Sequence, residues 1–374
     1  MRLAYYSPAR LMPHQALPGM DRFIHYFRIF GQNLIAPVDR SETIRLPVRT
    51  ASFFPLPHMQ VSTKSYAELC DDRAKQLLAR AQKLNVPLCT MWSGGIDSTC
   101  VLVSLLKNAT RAQKEHIFVL LSDDSIDEYP EFYAKYIRGK LLRGPADLLP
   151  YLLGGKNIIV NGELNDQLFG SDIIAKVITR FGAEITRKPY SADLLAEFLT
   201  TVSPRPLRPG QVADRHLADL YVILFERLRD SAPIPIKTNH EVFWWVNFVM
   251  KWQSVYMRVL SFAAARNADL VTADWVRTYY APFYNTNGFQ LWSMNSNLEQ
   301  KVKNGWRSYK WPAKEVIYEF TKDAEYRDNK LKRGSLHYLV AQQVPFEFID
   351  EKLQLLNDVA PGEFYSADND FIRS

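Results

Sequence analysis

The chain has 374 residues, with 46 Lys and Arg against 40 Asp and Glu, a formal net charge of +6 and a sequence pI near 9.0. That length admits two or three domains, or one large domain with additions. At 47% hydrophobic and 23% charged residues, the composition suits a chain with a sizeable core. No stretch of 18 uninterrupted apolar residues occurs, which argues against a membrane span. No run of five Lys or Arg occurs either, so the basic balance by itself does not argue for nucleic acid. Cys70, Cys89 and Cys100 form no C-x-x-C pair, and the histidines are scattered. That pattern points to a reducing cytoplasm and away from a disulfide framework or a zinc site.

Residues 1–62 are expected to be a small β-rich segment. Arg2–Tyr6 and Thr43–Val48 are the candidate strands, and prolines at 8, 13, 18, 37, 47, 55 and 57 exclude long helices. Ser65–Leu84 has the spacing of an amphipathic helix, with Ser65 as its cap and Glu68 three residues on. Val86–Trp92 is expected as a buried strand, Asp97–Lys107 as a helix, and His116–Ser122 as a second strand. Asp127–Leu142 follows as a helix and Asn157–Val160 as a third strand. Alternation of this kind implies an α/β fold with a doubly wound parallel sheet. From residue 173 the chain reads as largely helical: 173–181, 191–202, 212–228, a long aromatic stretch over 241–266, and 313–322. Pro-rich breaks at 203–210 and 231–235 separate these pieces. The division expected is 1–62 as the N-terminal segment and 63–374 as the main domain, with 63–172 its core and 173–374 a mostly helical substrate part.

Two short motifs carry the chemistry. The first is Ser93-Gly94-Gly95-Ile96-Asp97-Ser98-Thr99, held between two apolar runs. A glycine loop between a buried strand and a helix start can present backbone N–H groups and hydroxyls to a phosphate. Asp97 would hold the Mg²⁺ that accompanies the phosphates. The second is Gly162-Glu163-Leu164-Asn165-Asp166-Gln167-Leu168-Phe169-Gly170, directly after the third strand. Glu163 and Asp166 then stand on the same sheet edge as the first loop. The competing reading of the second motif is an ordinary turn in which Asn165 and Asp166 cap the next helix.

The first motif resembles the PP-loop of the ATP pyrophosphatases, which cleave ATP between the α and β phosphates. No Walker-A sequence is present. With both motifs together, the chain is most similar to the asparagine synthetase type of PP-loop amide ligase, whose second motif reads G-E-G-A-D-E-L-F-G-G. Glu163, Asp166, Leu168, Phe169 and Gly170 match it, while Leu164, Asn165, Gln167 and Ser171 depart. Arg277 with Pro282-Phe283, and Trp311-Pro312-Ala313-Lys314 with the basic segment around Lys330 and Lys332, resemble the family's later motifs.

The resemblance implies an adenine nucleotide alpha hydrolase-like fold, with ATP and Mg²⁺ as cofactors. It implies that Ser93, Gly94, Gly95, Ser98, Thr99 and Gly162 surround ATP and its pyrophosphate. Asp97 and Asp166 would bind the metal, and Glu163 would assist proton transfer at the attacking amine. Lys330 or Lys332 would face the departing pyrophosphate. The family's glutaminase domain starts with a cysteine, where this chain has Arg2, so ammonia or an amine is the expected acceptor. The amine could come from a small molecule, or ammonia from a separate amidotransferase or carrier partner. The departures favour joining an unusual carboxylate and amine over making asparagine. The alternative is a PP-loop enzyme that adenylates a base in tRNA or DNA; a third reading is a binding protein that kept the fold.

Overall fold

A computed structural model describes residues 3–5, 11–30, 37–201, 215–261, 268–303, 309–330, 346–349, 352–355 and 361–372. The described residues of 1–62 are not β-rich. Among those described, the one strand is β1 (Leu3–Tyr5), and helix α1 (Met20–Tyr26) follows. Thr43–Val48 makes only a single bridge, from Val48 to Tyr365. Asp39 is the cause. Its carboxylate accepts from the backbone N–H of Ser41 at 2.9 Å and from those of Thr43 and Ile44 at 2.8 Å each. These donors are thereby lost to any strand ladder.

Helix α2 (Tyr66–Leu84) begins on the expected capping box, Ser65 with Glu68, and ends at Asn85 in a left-handed conformation. Strand β2 (Leu88–Met91) leads through the glycine loop into α3 (Ile96–Asn108). Strand β3 (Ile117–Leu121) leads into α4 (Asp123–Glu128). The single helix expected over 127–142 is broken. Pro130 restarts the chain, a π turn covers Tyr133–Ile137, and Gly139 has φ +70°. An unforeseen strand, β4 (Leu142–Pro145), follows. Its Leu-Arg-Gly-Pro sequence lacks the apolar signal because it is an exposed edge.

Strand β5 (Ile158–Val160) completes a four-stranded, all-parallel sheet in the order β4-β3-β2-β5. Strands β2, β3 and β5 are mostly apolar and, apart from half-buried Phe118, buried, as parallel strands require. From β2 the chain steps outward to β3 and β4, then returns to the far side of β2 as β5. The order therefore reverses between β2 and β5. The loops leaving these two strands meet at the carboxyl edge, where open parallel sheets take ligands.

The remainder is largely helical. After β5 come α5 (Asn165–Phe169), α6 (Ser171–Phe181), α7 (Ala192–Thr201) and α8 (Arg215–Asp230). Helix α9 (Asn239–Arg258) is buried on every side, so its aromatic residues pack within this chain. Each of its indole N–H groups has a partner: Trp244 with Leu168 O at 3.0 Å, Trp245 with Leu228 O at 2.7 Å and Trp252 with Asn285 Oδ1 at 3.1 Å. Then follow α10 (Ala273–Tyr279), α11 (Asn287–Asn295), α12 (Trp311–Thr321) and α13 (Ala324–Asn329). Helix α3 packs between α2 and α12. Strands β6 (Phe346–Ile349) and β7 (Lys352–Leu355) form an antiparallel pair that takes β1 onto its edge. No helix among the described residues is long and apolar enough to cross a membrane.

Candidate functional site

The glycine loop is held by its own hydroxyls. Ser98 Oγ accepts from the Ser93 N–H at 3.0 Å and lies 2.9 Å from Ser93 Oγ, which accepts from the Gly95 N–H at 3.3 Å. Gly94 has φ +73°, and a Cβ there would stand 2.5 Å from Ser125 O and 2.8 Å from Glu128 Cβ. Only glycine fits both the backbone and the space. Gly95 is the N-cap of α3 and makes no side-chain cap hydrogen bond to its first turn. Thr99 departs from expectation. It is fully buried one turn into α3, its hydroxyl accepting from Trp92 Nε1 at 3.0 Å, and it belongs to the core and not to a phosphate cradle.

The second motif touches the first through backbone. A Cβ on Gly162 would lie 3.0 Å from both Asp97 C and Ser98 N. Asn161 fastens the start of the motif, accepting from the Glu163 N–H at 3.1 Å and reaching Tyr280 OH at 3.1 Å. Leu164 then takes φ +77°, ψ −13°, a left-handed conformation unusual for a leucine. It is the residue before α5, so neither Asn165 nor Asp166 is the cap of that helix. Asn165 bridges the motifs instead: its Nδ2 donates to Asp97 Oδ1 at 2.7 Å, and its Oδ1 accepts from Tyr66 OH at 2.8 Å. Gly170 closes the motif at φ +74°, with Trp244 Cα 2.8 Å from where its Cβ would be, so α9 fixes the motif from behind.

Asp97 and Asp166 converge on one cation, Lys310. Its Nζ is 2.6 Å from each oxygen of Asp97 and is ion-paired with Asp166. The Lys310 side chain is 3% exposed, against 23% for Asp97 and 21% for Asp166. Lys310 sits at the start of α12 with φ +56°, and this bend turns its side chain toward the sheet edge. Glu163 is paired with Arg258, the last residue of α9.

Lys330 lies at the same edge. Its Nζ is 2.8 Å from Glu128 Oε1 and donates to Glu128 O at 3.4 Å. Glu128 faces the glycine loop, with Oε1 3.5 Å from where a Cβ on Gly95 would be, and its buried Oε2 has no hydrogen-bond partner among the described residues. Tyr326 ties the same segment down, donating to Gly94 O at 3.0 Å and stacking on Tyr129 at 3.9 Å. Lys314, one turn beyond Lys310, is buried; burial pulls its ammonium down to about 8, with Asp328 opposing and Lys330 adding to the shift. Lys332 lies outside the described residues. Arg277 is away from the site, paired with Asp274 on the exposed face of α10, although Phe283 N does donate to Asn161 O at 3.0 Å.

A cleft of about 940 Å³ opens at the carboxyl ends of β3 and β4, between Leu121, Ser122, Ile126, Tyr133, Gly144 and Pro145. Helix α4 is shared: Ile126 lines the cleft, while Ser125 and Glu128 face Gly94.

Ser93, Gly94, Gly95, Asp97, Ser98, Gly162, Glu163 and Asp166 thus stand together, with Lys330 beside them. Lys310, Asn165, Arg258 and Glu128 are added by the structure. Lys310 had a signal of its own, a lone lysine directly before Trp311-Pro312 at a helix start. No family model, curated protein or solved structure matches this chain.

Proposed function

We propose that the chain is an ATP-dependent ligase of the PP-loop kind. It would adenylate a carboxylate, release pyrophosphate and pass the acyl group to ammonia or an amine. One observation carries this reading. The carboxylates of the two motifs, Asp97 and Asp166, meet on a single cation at the switch point of a parallel sheet, beside an uncapped helix start. The doubly wound, adenine nucleotide alpha hydrolase-like fold is part of the same proposal, supported by the strand order.

The roles follow from position. The first-turn N–H groups of α3 and the Ser93 and Ser98 hydroxyls would hold the β and γ phosphates, turning outward from their present mutual bonds. The cleft beside β3 and β4 is of a size to take the nucleoside, which puts the α phosphate at the glycine loop. Asp97 and Asp166 offer hard oxygen ligands, and among the described residues no third acidic, His or Cys group joins them. Two carboxylates completed by phosphate oxygens are what Mg²⁺ accepts. Bound there, the metal would neutralise charge on the leaving pyrophosphate. Lys310 and Lys330 would supply further positive charge to the same group. Glu163, oriented by Arg258, would take a proton from the attacking amine.

The test is to incubate the protein with α-labelled ATP, Mg²⁺ and pools of carboxylates and amines. AMP and pyrophosphate should appear with a carboxylate present, and Asp97→Ala should abolish both. AMP released only with RNA would replace this reading with nucleic-acid modification. ATP binding without AMP under any acceptor would make the chain a binding protein.

A further inference from the structure

Resting on that reading, we infer that Lys310 is a resident counter-ion of the metal site. It excludes a divalent cation from the Asp97–Asp166 pair until a polyphosphate draws its ammonium away. Metal and nucleotide then enter together, and neither carboxylate takes up metal beforehand.

The argument is one of occupancy. Lys310 Nζ stands 2.6 Å from both Asp97 oxygens and is ion-paired with Asp166. Mg²⁺ bound by these oxygens would lie at about 2.0–2.1 Å from them. The point equidistant from the same oxygens cannot hold both an ammonium and a metal. Lys310 is also not a surface lysine that solvent can accept. Its side chain is 3% exposed, and its backbone is fixed by the start of α12, where Ala313 N and Lys314 N donate to Lys310 O at 3.0 and 3.1 Å. A buried ammonium leaves one set of anions only for another. The nearest place for that other set is the glycine loop, since Asp97 is itself in the first turn of α3. A phosphate seated there would take Lys310 and vacate the carboxylates in one movement.

Mn²⁺ serves as the probe, its free fraction read by electron paramagnetic resonance, with no turnover required. Wild type alone should retain little Mn²⁺; with inorganic pyrophosphate it should retain one ion tightly. Lys310→Met without any phosphate should bind Mn²⁺ at least about tenfold more tightly than wild type, a difference of about 1.4 kcal/mol. Adding Asp97→Asn to that variant should remove the gain. Wild type that binds one Mn²⁺ equally well with and without pyrophosphate overturns the inference, whether or not the variant folds. So does a folded Lys310→Met protein with no gain. Failure of the ligase reading is separate: it would appear as absent AMP in the labelled-ATP assay, whatever the Mn²⁺ titrations give.

Discussion

Leu164 offers the sharpest test of the acidic motif's geometry. It is 1% exposed and sits at φ +77°, between the residue paired with Arg258 and the residue bonded to Asp97. Truncation to alanine deletes a buried side chain at a cost of about 2–5 kcal/mol, while the left-handed backbone remains. Truncation to glycine deletes the same atoms but also removes the Cβ that a left-handed residue carries at a penalty of about 1–2 kcal/mol. Glycine returns about 0.5–1 kcal/mol of that through its greater freedom in the unfolded chain. The net expectation is that Leu164→Gly is more stable than Leu164→Ala by up to about 1.5 kcal/mol, with both below wild type. In a right-handed or extended position the order would be reversed. Thermal unfolding of the three proteins side by side should separate the two variants by up to about 2 °C. A Leu164→Ala protein that melts above Leu164→Gly would refute the turn, and with it the placement of Glu163 and Asn165 on either side.

The neighbouring residues give further expectations. Gly162→Ala puts a Cβ 3.0 Å from the α3 backbone at Asp97 and Ser98; it should wedge the motifs apart and cut labelled-AMP formation by at least about tenfold, about 1.4 kcal/mol, while far-ultraviolet circular dichroism stays unchanged. Thr99→Val should leave ATP affinity intact yet destabilise by about 1–3 kcal/mol, because Trp92 Nε1 is left buried without an acceptor; Ser98→Ala should instead weaken ATP, and the reverse pattern would return Thr99 to the phosphate site. Glu163→Gln should still exchange labelled pyrophosphate into ATP when the carboxylate is present, but should transfer the acyl group to amine about 10²–10⁴ times more slowly. His240 provides the pH expectation: burial, then the charges of Lys301 and Arg187, depress its folded value from 6.5 to about 3. The unfolded chain therefore binds a proton that the folded one refuses between those values. Stability should fall as pH drops below about 6.5, by up to about 1.4 kcal/mol per pH unit, and His240→Leu should flatten that limb in pH-dependent urea titrations.

What could be read without coordinates, and what could not, follows from how each residue reaches its place. Asp97 and Asp166 were legible because each closely follows a buried apolar run, and a parallel strand delivers its end to one rim whatever lies between. Helix α2 was legible because Ser65 and Glu68 act within one turn. Thr43–Val48 alternates like a strand, yet Asp39 consumes its N–H groups, a local competition that apolar patterning does not register. Strand β4 was missed for the opposite reason, since an exposed edge needs little apolar character. The cations divide in a more instructive way. The basic run at 327–333 has the adjacent charges of a solvated loop, yet its Lys330 is nearly buried against Glu128. The lysine that meets both carboxylates, Lys310, stands alone between Tyr309 and Trp311. A long polar side chain set among aromatics before a helix start is costly to bury unless it finds partners inside the fold, as Lys310 does. Isolation in apolar company is the sequence sign that set Lys310 apart as a cation paired inside the fold.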